Sequence, residues 1–285
     1  MECRKIEVSD DHLMAYMHLM HVCFPKAAAK YTMEYMKWLY RENPDGIALG
    51  YDAWEDKKLV AHYVCVPGRA LVGGNEVKVI LSLNTATHPE FQGRGLFTKL
   101  AEMTYGEAGH DGYDCIYGIA NANSTHGFVK KLGFQLVQPL QAKIGIGALN
   151  LSFDKHKENI DFRRVWSDKS FLWRKSNPYN KVFLKKSSEM IKVHARAAGG
   201  FLSVYTEDDI HVQYASQEDK NISLMPFHLY IGCVPTGLSS GNLYMDIPQI
   251  LRPSPLNLIY RSLTGRKSLL DKNKILVNFF DFDAF

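Results

Sequence analysis

The chain has 285 residues, of which 46% are hydrophobic and 22% charged, with a net charge of +4. That length allows one large domain or two small ones, the composition allows a real core, and the mildly basic balance has no Lys/Arg run dense enough to argue for nucleic acid. No apolar run reaches the roughly 20 residues of a membrane-spanning helix, so no membrane partner is expected.

The five cysteines (Cys3, Cys23, Cys65, Cys115 and Cys233) are odd in number and include no C-x-x-C pair. That pattern suits a reduced compartment and suggests no metal site. The opening MECRKIEVSDDH has no basic region followed by an apolar one. No signal peptide is therefore expected, and the reading is a cytoplasmic protein.

CRKIEV reads as a short strand. SDDHLMAYMHLMHVCF follows as a helix, with Ser9, Asp10 or Asp11 as N-cap. The spacing predicts a second helix over 27–46, stopped at Asn43-Pro44. IALGYDAWEDKKLVAHYVCVPGRALVGG reads as strands joined by a polar turn at EDKK. In EVKVILSLNTAT, Val77, Val79, Leu81 and Leu83 fall on one face, while Lys78, Ser82 and Asn84 fall on the other with Ile80 as an exception. A glycine-containing run, HPEFQGRG, comes next and leads into a helix striped by Leu96, Leu100 and Met103. YDCIYGIA is a short buried strand, and NSTHGFVKKLGF a short capped helix stopped by Gly133. Alternating strands and helices with adjacent strands in the middle give an α/β (α+β) class: a mixed central sheet flanked by helices.

Residues 149–285 begin in a similar way. YMKWLYRENPDG and FLWRKSNPYN each place a Trp in an aromatic, basic helix that ends at Asn-Pro. This suggests a weak internal repeat, with one unit over 1–148 and a second, degenerate one over 149–285. Two amphipathic helices that merely end alike remain the alternative.

Gly93 and Gly95 lie between a strand and a helix. Such a loop bares backbone N–H groups beside a helix N-terminus and suits a phosphate or pyrophosphate. A dinucleotide fingerprint needs a third glycine where Thr98 stands, and no G-x-x-x-x-G-K-S/T run is present. THPEFQGRGLFTKL resembles instead the acyl-CoA loop of the GNAT superfamily of N-acyltransferases. YDCIYGIANANSTHGFVKKLGF resembles the strand, Asn-containing loop and helix that follow it there. The match covers residues 60–135 well and the N-terminal helices loosely.

The resemblance implies a GNAT-like fold and acetyl-CoA or another acyl-CoA as co-substrate, bound where two central strands splay apart. Carried over, Thr85, Ala86 and Thr87 would lie along the pantetheine arm. Gln92, Gly93, Arg94, Gly95, Leu96 and Phe97, with the Thr98 hydroxyl, would meet the pyrophosphate. Asn121, Asn123 and Lys131 would meet the arm or its phosphates. The amine must attack neutral, and a backbone donor would hold the oxyanion. The Tyr that many members use as an acid is replaced by Val129, beside Phe128. Asn84, His88, Ser124 and His126 are the remaining catalytic candidates.

The extra half has no such loop and is expected to shape the acceptor site, with Trp166, Trp173, Tyr179, Phe227, Tyr230 and Tyr244 as stacking or core aromatics. Length and layout resemble two-lobed sugar N-acyltransferases acting on nucleotide-linked amino sugars. An aminoglycoside, polyamine or peptide amine is the alternative acceptor, and a non-catalytic acyl-CoA-binding module the alternative class. The oligomeric state is left as monomer or homodimer.

Overall fold

The computed structural model describes residues 1–153, 160–186, 190–197, 202–209, 219, 226–239, 241, 243–252 and 254–283. In chain order the first part gives β1 (Glu2–Lys5), α1 (Asp10–Cys23), α2 (Met33–Tyr40), β2 (Leu49–Glu55), β3 (Lys58–Val72) and β4 (Asn75–Thr87). It continues with α3 (Leu96–His110), β5 (Cys115–Ala120), α4 (Ala122–His126), β6 (Gln135–Pro139) and β7 (Gln141–Ile146). The second part gives β8 (Phe162–Val165), α5 (Asp168–Lys175), β9 (Val182–Lys186), β10 (Ile191–Ala197), β11 (Leu202–Asp208) and β12 (Phe227–Cys233). Then come β13 (Leu243–Asp246), β14 (Asn257–Ser262) and β15 (Ile275–Asn278).

Ser9 caps α1, its hydroxyl accepting from His12 N–H at 3.4 Å. The helix expected over 27–46 is not continuous. Pro25–Lys30 form a 3-10 turn, and the chain breaks at Tyr31-Thr32, where the Thr32 hydroxyl accepts from Tyr35 N–H at 3.2 Å and starts α2. A Thr hydroxyl offers the backbone a local partner that competes with helix continuation. Asn43 then bonds Pro67 O at 2.8 Å and ties the end of α2 to β3. Pro67 sits inside β3 without disrupting it. On that edge β2 pairs only as far as Cys65 and β8 begins at Arg69, so no ladder bond needs the missing N–H.

Both faces of β4 are covered. Val77, Val79 and Leu81 pack with Tyr117, Leu258 and Ile275, while Ile80 packs with Leu96, Leu100 and Tyr105. That is why Ile80 breaks the alternation. Helices α1 and α2 bury Leu13, Tyr16, Met36 and Trp38 against Val64, Val66 and Ala86.

Strand pairing in the second part repeats that of the first. β2–β3 and β3–β4 are antiparallel and β4–β5 parallel. β9–β10 and β10–β11 are antiparallel and β11–β12 parallel. The closing strands are exchanged: β7 pairs with β12 and β13, while β14 pairs with β5 and β6. Antiparallel β3–β8 and parallel β8–β15 join the two into one sheet. The tryptophans of the two similar helices meet reciprocally. Trp38 Nε1–H donates to Trp173 O and Trp173 Nε1–H to Trp38 O, both at 2.8 Å, with the rings stacked at 4.8 Å.

Candidate active site

β4 and β5 pair from Val79/Cys115 to Ser82/Gly118 and no further, although β4 runs on to Thr87 and β5 to Ala120. A bulge bends β4 at this point. Between His62↔Ala86 and Val64↔Leu83, the two residues Asn84 and Thr85 oppose Tyr63 alone. Asn84 adopts a left-handed φ of 48°, which Asn tolerates better than most side chains. A cavity of about 670 Å³ opens between the two strands.

The glycine run forms one wall. Gly93 has φ 77° and Gly95 φ 74°, and a Cβ on either would meet nothing within 4 Å. The sign of φ, not lack of room, therefore selects glycine at both positions. Gly95 is the N-cap of α3 and offers no side-chain cap. The N–H groups of Leu96, Phe97 and Thr98 thus have no helical partner and sit at the positive end of a 15-residue helix beside the cavity. That donor set fits a pyrophosphate. Among the described residues no cluster of His, Cys, Asp or Glu could hold a metal ion.

The cavity is lined by Thr85, Ala86 and Thr87, by Gln92, Gly93, Gly95, Leu96, Phe97 and Thr98, and by Asn121, Asn123 and Lys131. Arg94 is not among them. It folds back, donating to Glu90 O at 3.3 Å and lying 4.6 Å over the Phe91 ring. Asn84 and Ser124 line the cavity, whereas His88 and His126 do not. His88 Nδ1 accepts from Glu90 N–H at 3.4 Å and caps the 3-10 turn Pro89–Phe91; His126 is exposed on α4. Ser124 completes a capping box with Asn121, whose Oδ1 accepts from Asn123 and Ser124 N–H, both at 3.0 Å.

Residues not among the sequence-based site candidates also line the cavity, among them Cys23, Lys30, Tyr31, Ser82, Phe128 and Asp283. A wide π-turn at Gly127–Lys131 puts Phe128, not Val129, on the wall, so no phenol stands there. Ser82 Oγ is bonded to Tyr63 OH at 2.8 Å, which meets Tyr105 OH at 2.6 Å. Burial, then Asp283, pushes the Tyr31 phenol up to about 12. Burial also raises the Cys23 thiol, which donates to Thr87 O at 3.4 Å.

Asp283 comes from the far end of the chain. Lys30 approaches it at 2.5 Å, Arg174 at 3.2 Å and Asn177 at 3.3 Å, and Tyr35 donates to it. Burial pushes its carboxyl up, but Lys30 and Arg174 outweigh burial and hold it below the usual carboxylate range. Arg174 also bonds Phe280 O at 2.9 Å and Phe282 O at 2.7 Å. It thereby clamps the segment that forms this wall.

Residues 4–137 match the model of the acetyltransferase (GNAT) domain. Solved structures share the fold at low identity. A GCN5-related N-acetyltransferase from Anabaena variabilis is 12% identical with a TM-score of 0.60, over 93% of this chain and 74% of that one. One from Kribbella flavida is 12% identical with a TM-score of 0.59, over 93% and 72%. Eis1 from Mycobacterium abscessus is 10% identical with a TM-score of 0.57, over 90% and 73%. No curated protein matches by sequence. The family match spans just under half of the chain, and the solved structures carry the likeness in fold beyond it.

Proposed function

We propose that the chain moves an acyl group from acetyl-CoA, or another acyl-CoA, to a primary amine bound in the cavity between β4 and β5. The open splay beside the uncapped start of α3 is the observation that carries this reading. The N–H groups of Leu96, Phe97 and Thr98 hold the pyrophosphate, with Lys131 as a nearby cation. Main-chain groups of Leu83–Ala86, which β5 no longer pairs, take the pantetheine arm and the thioester oxygen.

The amine attacks the thioester carbon directly. The C–N bond forms, the tetrahedral oxyanion collapses, the C–S bond breaks, and the amine proton leaves to solvent. The thiolate takes a proton from water or from a cavity hydroxyl. With no phenol at Val129 or Phe128, Ser124 and Asn84 are the two of the four candidates that face the cavity, Ser124 as a donor and Asn84 as a polar wall. His88 and His126 would act only through intervening water.

We assign residues 1–148 to acyl-CoA binding and 149–285 to a second unit of like strand pattern that completes the acceptor side through α5 and the Asp283 segment. For the acceptor we favour the amine of a nucleotide-linked amino sugar. The net charge of +4 supports a phosphorylated ligand.

Calorimetry with acetyl-CoA tests the reading first. Wild-type protein should bind in the micromolar range and the Gly95→Trp variant should not. A wild type that binds no acyl-CoA would overturn the assignment. Thiol release with an amino-sugar nucleotide, set against an aminoglycoside, a polyamine and a peptide amine, then tests the acceptor.

A further inference from the structure

Behind the bulge lies a chain of buried polar groups that the reaction itself does not call on. Asp52 of β2 and His62 of β3 meet at 2.6 Å with both side chains fully buried. Tyr40, the last residue of α2, bonds His62 Nε2 at 3.0 Å, and Asn84 Nδ2–H donates to Tyr40 OH at 3.4 Å. Tyr16 OH donates to the other oxygen of Asp52 at 2.8 Å. Side chains of α1, β2, β3 and α2 are therefore linked in series to one side chain of β4, and that side chain faces the cavity.

With a neutral His62 imidazole the donors run in one direction. Asp52 accepts from His62 Nδ1–H, which leaves Nε2 as an acceptor. Burial holds the Tyr40 hydroxyl protonated far above its ordinary range, so it donates to Nε2 and has its lone pairs left for Asn84. Asn84 is the residue with the left-handed φ of 48°, at the point where β4 turns away from β5. Such a conformation persists only when its surroundings fix it.

We propose that the Asp52–His62–Tyr40 chain is a positioning device: it holds the Asn84 amide, and through it the β4 bulge, so that the main-chain groups of Leu83–Ala86 that β5 leaves open stand in place for the thioester carbonyl. Tyr40 and His62 are positioning residues, since neither lines the cavity. The inference rests on the acyl-CoA reading of that cavity.

The test uses acetyl-CoA labelled with carbon-13 at the thioester carbonyl, bound to the full chain and read by infrared difference spectroscopy. In wild type the bound carbonyl stretch should lie below that of free acetyl-CoA, because main-chain donors polarise it. Tyr40→Phe keeps the ring and removes the hydroxyl; it should return the stretch toward the free value. With an active amine, kcat should fall about tenfold while KM for acetyl-CoA stays within about twofold. Tyr40→Phe made in an Asn84→Ala background should add little further loss. Tyr205→Phe, a buried hydroxyl lost from β11 in the second part of the sheet, should lower the melting temperature without moving the carbonyl band. If Tyr40→Phe fails to fold, His62→Gln carries the same prediction. A wild type that does not bind acetyl-CoA overturns the cavity reading and this role with it. A wild type that binds, with the band unmoved in Tyr40→Phe and His62→Gln, overturns the positioning role alone.

Discussion

Arg174→Leu should destabilise the fold strongly from outside the cavity wall. The guanidinium is nearly buried and makes three separate bonds: to Phe280 O at 2.9 Å, to Phe282 O at 2.7 Å and to Asp283 at 3.2 Å. Removing one partner of a buried ion pair costs about 3–5 kcal/mol. Each stranded carbonyl adds about 1 kcal/mol. Lys30 stays on Asp283 at 2.5 Å, however, which compensates part of the lost charge. We therefore expect a loss near the lower end, about 3 kcal/mol. For a chain of this size that is a fall in Tm of about 6–12 °C, measured by circular dichroism. The carboxyl of Asp283 is depressed in the fold, so its ionic contribution is full above its unfolded value of 3.8 and fades as pH drops through the lower folded value. The penalty should hold steady from pH 7 to about 4 and shrink below that. A Tm drop under about 2 °C at pH 7 would refute the clamp.

Two more outcomes follow from the geometry. Gly127→Ala would set a Cβ 2.9 Å from Phe97 Cε1 and push that cavity-wall ring aside, while φ of −64° suits alanine. Acetyl-CoA affinity should weaken several-fold with Tm nearly unchanged, and unaltered affinity by calorimetry would count against the wall assignment. Burial, then His228, lowers His194 to about 3 from an ordinary 6.5. The unfolded chain takes up the proton first, so His194 makes the fold lose stability as pH falls from 6.5 toward 3. His194→Gln should flatten urea-denaturation stability against pH over that interval, and an unchanged slope would exclude His194 as its source.

Much of the first half was legible because its signals are local. Gly93 and Gly95 need positive φ, Gly133 stops a helix at φ 67°, and the Asp56-Lys57 turn joins β2 to β3 at the EDKK stretch. The likeness between the Trp38 and Trp173 helices was also visible, and the two rings turn out to be stacked on each other. What was not legible depends on distant partners. No pattern in LNLIYRS says that β14 lies between β5 and β6, since alternation reports a face and not a neighbour. Asp283 is held at the cavity by Arg174, Lys30, Tyr35 and Asn177, all remote from it in sequence. The π-turn that swaps Phe128 for Val129 is one extra residue in a helix, which a fixed spacing count cannot anticipate. The 27–46 helix breaks for a reason that spacing also hides, a Thr32 hydroxyl that starts a new helix.

The exchanged strands set a timetable for the chain as it is made. The free side of β5, which ends at Ala120, is closed by β14, which ends at Ser262, so about 140 residues must be added before that edge is covered. At roughly 5–20 residues per second the ribosome needs about 7–30 s to supply them. Throughout that interval the nascent chain carries an apolar strand with an unpaired edge, the condition that invites pairing with another chain. A fragment ending near residue 148 would keep that edge open permanently. A shortened version of the protein would do better to carry residues 257–262 joined after β7 than to stop where the local sequence pattern changes.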